Sequence, residues 1–103
     1  LLDMGMERVV EFAGPPPSWQ AIRDAITAVG LTPMLRMIDG LPAFPDENPE
    51  DGWRELRLST SGGMMTLRLE PNRLSVVVWG NSGPELLSDW EAVVRACATA
   101  ANA

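Results

Sequence analysis

The side chains able to do chemistry in this chain of 103 residues are few, and their spacing is poor for catalysis. The densest group is Asp46-Glu47-Asn48-Pro49-Glu50-Asp51-Gly52, whose four carboxylates and amide are hard oxygen donors of the kind calcium accepts. Pro49 interrupts the run, and the alternating ligand spacing of an EF-hand loop is missing. A solvated acidic loop is therefore expected, with Asp46, Glu47, Glu50 and Asp51 as weak metal candidates. Paired carboxylates can also hydrolyse glycosides, but only when rigid elements hold them at a set separation. Cys97 is the single cysteine, and it has neither a helix N-terminus nor a basic partner to make a thiolate. The serines lack a histidine, and a Ser–Lys pair is impossible because the chain has no lysine. Gly62-Gly63 and Gly80-Asn81-Ser82-Gly83 read as turns, since no Walker lysine and no G-x-G-x-x-G accompany them. No catalytic residue and no cofactor is expected, and the chain is read as a non-enzyme.

Composition points the same way. Fourteen acidic residues against eight basic ones, all arginine, give a net charge of −6, which opposes broad contact with nucleic acid or an anionic membrane. The apolar fraction of 46% suits a folded domain and is too high for a disordered tail. No apolar run approaches the ~18 residues of a membrane span, and residues 1–6 do not have the layout of a signal peptide. Those six residues are read as a disordered leader or cloning remnant, followed by a single α+β domain at 7–103. One unpaired cysteine and no export signal make the cytoplasm the default compartment. Arginine without lysine, among many alanines, suggests a bacterial source.

The elements that would position these residues follow from apolar spacing. Residues 8–13 read as a strand closed by Gly14 and three prolines. Ser18 is placed to cap a helix whose Trp19, Ile22, Ala25, Ile26 and Val29 recur at helical spacing, with Gly30 as its stop. Residues 31–38 read as a second strand, weakened at Pro33 and therefore expected at an edge. Residues 39–52 form a long acidic connection. Three further strands can be registered: with short turns, Leu58 meets Met65, Leu56 meets Leu67, Leu69 meets Leu74, Leu67 meets Val76 and Met65 meets Val78. A slip by one residue would set apolar against polar throughout. A last helix opens with a capping box, Ser82 and Glu85, with Pro84 in its first turn. It shows the stripe Leu86, Leu87, Trp90, Val93, Val94, Cys97 and Ala101, with Asp89, Glu91 and Arg95 off it. Cys97 is thereby expected in the core.

The expected fold is α+β, in the order β-α-β-β-β-β-α, with an antiparallel sheet and two helices packed on one face. That order resembles TATA-binding-protein-like folds, over most of the chain but by element order alone. Those proteins grip DNA with a basic, Phe-bearing sheet face. Here the chain is acidic and neither Phe falls on the meander.

The same register leaves one sheet face outward, in the rows Ser59–Met64–Trp79, Arg57–Thr66–Val77, Glu55–Arg68–Ser75 and Trp53–Glu70–Arg73. Met64, Val77 and Trp79 form an apolar patch beside Arg57, and Trp, Met and Arg are residue types enriched at protein interfaces. The patch could be covered by the 39–52 connection or another part of the chain, by another molecule, or by an organic ligand. Two functions are carried forward. One is a small interaction module that binds a protein partner or itself, as a homodimer, through this face. The alternative is a small-molecule or cation-binding sensor or enzyme using the acidic 46–51 loop, or using Arg36, Arg57 and Arg68 to hold an anion.

Overall fold

The computed structural model describes residues 5–80 and 82–102. Its elements are β1 (Met6–Glu11), α1 (Trp19–Ala28), β2 (Met34–Ile38), β3 (Leu41–Pro42), β4 (Glu55–Thr60), β5 (Gly63–Glu70), β6 (Arg73–Val78) and α2 (Pro84–Ala100). The strands form one sheet in the order β1-β6-β5-β4-β2-β3, antiparallel at every pairing. This is the expected α+β class and element order, with the two-residue β3 added. Residues 1–4 of the expected leader lie outside the described residues, as does Asn81 in the turn after β6. Met6 opens β1, opposite Val78.

The β4–β5–β6 meander has the register its alternation demands: Leu58 faces Met65, Leu56 faces Leu67, Leu67 faces Val76 and Leu69 faces Leu74. These side chains enter one core with Trp19, Ile22 and Ile26 of α1 and with Trp90, Val93, Val94 and Cys97 of α2. Trp90 brings a polar atom into that core and satisfies it, because its Nε1 donates to the Val76 carbonyl at 3.0 Å. At the rim, Arg8 pairs with Glu91 at 3.0 Å and lies 6.0 Å from the centre of the Trp90 ring. Among the described residues, no helix is long and apolar enough to cross a membrane.

The helix ends show where side chains compete for backbone groups. Ser18 caps α1 as expected, its Oγ accepting from the Ala21 amide at 3.1 Å. Gly30 turns left-handed at φ +94°, and the Leu31 amide still donates to the Ile26 carbonyl at 3.3 Å. Leu31 is thus spent on closing the helix, and β2 starts at Met34 instead of residue 31. The capping box at α2 does not form. Gly83 is the N-cap and makes no side-chain bond. The Ser82 hydroxyl donates to the Trp79 carbonyl instead, beside its own amide at 3.1 Å. Glu85 is reached by the Ser61 hydroxyl, at 3.2 Å. Ser82 closes the turn out of β6, so the helix starts one residue later.

Three further expectations need correction. β2 is not the outermost strand, because Asp39 and Gly40, at φ +50° and +86°, turn the chain back as β3. Asp-Gly between two apolar residues is the signature of such a hairpin. Trp53 is not on the outer face. β4 begins only at Glu55, so Trp53 escapes the strand alternation and enters the core. Asp89 is not a solvated residue off the stripe of α2: it is 8% exposed. Its Oδ2 accepts from Thr60 Oγ1 at 2.6 Å and from the Gly62 amide at 3.0 Å. The carboxylate ties the β4–β5 turn to the helix.

Candidate functional site

The outer sheet face is built from alternate residues of five strands. Pairing across β1, β6, β5, β4 and β2 sets Glu7, Val77, Thr66, Arg57 and Met37 in one row. The next row toward the β4–β5 turn holds Met64, Ser59 and Met34, with Trp79, one residue past the end of β6, beside Met64. On the other side come Val9, Ser75, Arg68 and Glu55, then Glu11, Arg73 and Glu70.

At one end of the face stand Trp79, 52% exposed, and Met64, 43% exposed. With Arg57, Met65 and Thr66 they line a cavity of about 330 Å³. Of the residues expected to form the patch, Arg57, Met64 and Trp79 are brought together. Val77 is only 5% exposed and is buried among its neighbours instead of contributing contact area. Met34, also exposed, extends the apolar row and was not foreseen, because its face depends on the β2–β4 register and on a bulge after Leu35. Arg36, at that bulge, donates to Ser59 Oγ at 3.0 Å.

The 39–52 connection does not cover Trp79. It extends the opposite edge of the sheet, where the Ala43 amide donates to the Arg36 carbonyl at 3.0 Å and the Leu35 amide to the Pro45 carbonyl at 3.1 Å. Among the described residues, Gly5 comes close to the indole: an added Cβ there would lie 2.9 Å from two ring carbons.

The face is electrically balanced. Glu55–Arg68 and Glu70–Arg73 pair across strands at 3.1 and 3.0 Å, as exposed pairs worth little stability. Among the described residues, Glu7, Glu11, Arg36 and Arg57 form no ion pair. The face thus holds four of the eight arginines but only four of the fourteen carboxylates. The excess negative charge lies elsewhere.

The acidic loop is not assembled as a ligand set. Among the described residues, no three His, Cys, Asp or Glu side chains are placed to hold a metal ion. Glu47 accepts from the Phe44 amide at 3.1 Å. Asp39, before the loop, takes the Arg54 and Glu55 amides, both at 2.8 Å. Cys97 is fully buried in the core, and burial pushes its thiol up to about 12.

A second concavity was missed from sequence. A cleft of about 430 Å³ lies between Pro16, Trp53, Arg54, Leu69 and Pro71. Trp53 is nearly buried there, and its Nε1 has no hydrogen-bond partner among the described residues. Nothing local in the sequence could reveal it, since its walls come from three separate segments. Phe44, 75% exposed on the β3 edge, was likewise not singled out.

Comparison of the chain with protein-family models, with curated proteins and with solved structures finds no match.

Proposed function

We propose that this chain is a protein–protein interaction module that acts by binding, not by catalysis, through the outer sheet face around Met64 and Trp79, with Arg57 at the rim. One observation carries the reading: Trp79, Met64 and Met34 stand exposed at one end of the outer sheet face, Met64 and Met34 in one cross-strand row and Trp79 just past β6 beside Met64, where water would otherwise favour polar side chains. Truncating a Trp or Arg in such a setting often costs more than 2 kcal/mol of binding. The acidic balance of the chain favours a protein partner over a phosphate backbone. A lone unpaired cysteine fits a reducing, cytoplasmic setting.

The test replaces Trp79 with Glu, a change at an exposed position, and compares solution mass, solubility and cross-linked partner capture with the unaltered protein. At least one of the three is expected to change. If all three are unaltered, the outer face is not the acting surface.

The second reading is small-molecule binding at the Trp53 cleft, favoured by a concavity of about 430 Å³ with apolar walls from Trp53, Leu69 and Pro16 and with Arg54 beside them. A thermal-shift panel of calcium, magnesium, nucleotides and acyl compounds addresses it. A true ligand at one hundred times its dissociation constant adds about 2.7 kcal/mol of stability.

A further inference from the structure

We infer that the occupant of the outer sheet face is a second copy of this chain, docked about a two-fold axis that runs parallel to the strands between β5 and β6. The inference rests on the interaction reading above and adds to it the identity of the partner and the register of the contact.

The argument starts from two exposed charges that form no close ion pair within one copy, although Glu7 also acts at longer range on Arg73. Glu7 and Arg57 lie in the same row, separated by Val77 and Thr66. Three strand spacings put them about 14 Å apart, too far to pair. They are also equidistant from the line between β5 and β6. A two-fold axis on that line exchanges β6 with β5 of the second copy, and β1 with β4. Glu7 then stands over Arg57 of the second copy, and the symmetry repeats the pair, so opposite charges meet twice.

Two other rows are complementary, while a third sets Val9 over Glu55 and Ser75 over Arg68. Trp79 comes over Met64 of the second copy, apolar on apolar. Arg73 comes over Glu70, while Val77 and Thr66, 5% and 2% exposed, lie beneath the contact. An axis at right angles to the strands does worse, because it sends the Trp79–Met64 row onto Arg73 and Glu70. Charge decides in the same direction. Two copies carrying −6 each repel on average, and the balanced outer face is where they approach without that cost. Sheets stacked this way keep their strands within about 30° of each other.

The contact is small. The axis superposes four strands, β1, β6, β5 and β4, and at about 4.8 Å apart these give a face of roughly 400 Å² per copy, below the ~800 Å² of a standard interface. The dimer therefore forms reversibly with concentration and is not obligate.

Sedimentation of the full chain across a wide concentration range tests this, with the variants Glu7→Arg, Arg57→Glu and the two combined. Each single reversal sets like charges together twice per dimer and is expected to weaken self-association about tenfold or more. The combined variant is expected to return to within a few-fold of the unaltered protein. A protein that stays monomeric at every concentration overturns the inference. So does a combined variant no better than the worse single one. If Trp79→Glu abolishes the dimer while the charge exchange fails, the face is right and the register wrong, and the broader reading survives. If the dimer ignores all of these changes, both fall.

Discussion

Asp89 is a carboxylate in a place where a charge is costly, and it is kept there by two donors that reach the same oxygen. Gly62 completes the arrangement, because a Cβ at that position would stand 2.8 Å from Asp89 Oδ2 and 2.9 Å from the Glu85 backbone. Replacing Asp89 with Ala leaves the Thr60 hydroxyl and the Gly62 amide without their acceptor, and is expected to cost about 1–3 kcal/mol. Urea titration measures the loss, and faster amide exchange at Gly62 locates it. A change of less than a few tenths would mean that water replaces the carboxylate. This role could not be read from the sequence. On a helical wheel Asp89 lies off the apolar stripe, and only the distant turn folding over α2 makes it an internal residue. Trp53 was misplaced for a related reason: alternation was extended two residues beyond the point where β4 begins.

At the level of elements, local signals were reliable where chain neighbours supply the partner. The meander register was legible because three alternating segments with short turns constrain one another, and one face had to be apolar. The first helix was legible at both ends, through Ser18 and Gly30. Ser18→Ala is expected to cost about 1 kcal/mol, the usual loss for a capping hydroxyl, read as a lowered midpoint in thermal or urea unfolding with an unchanged slope. Ser82→Ala serves as the contrast, since its hydroxyl bonds the Trp79 carbonyl and caps nothing. The second helix misled because Ser82 and Glu85 have the capping-box spacing, yet each finds another partner. The Asp39-Gly40 hairpin was visible in the sequence and was passed over, hidden by reading 39–52 as one acidic connection.

Taken whole, the molecule has one core shared by both helices and the sheet, and Cys97 sits within it as a probe of global unfolding. Its thiol ordinarily ionises near 9.0 and is pushed up to about 12 in the fold. Between those values the unfolded chain has lost the proton while the native chain keeps it, so stability falls as pH rises through that window and is unaffected by this group below it. The full effect is on the order of 4 kcal/mol. Urea midpoints from pH 8 upward should show the decline, and Cys97→Ala should flatten it; an equal slope in both would assign the loss to other groups. The two edges of the sheet differ in kind. β3 and the three residues after it carry Pro42 and Pro45, which have no N–H to offer another strand, while β1 carries Glu7, Arg8 and Glu11 along its length. Strand addition at an edge has no natural end and leads to fibres, whereas a face-to-face pair is closed once two copies have met. With one rim starved of donors and the other studded with charge, this sheet is built to stop growing.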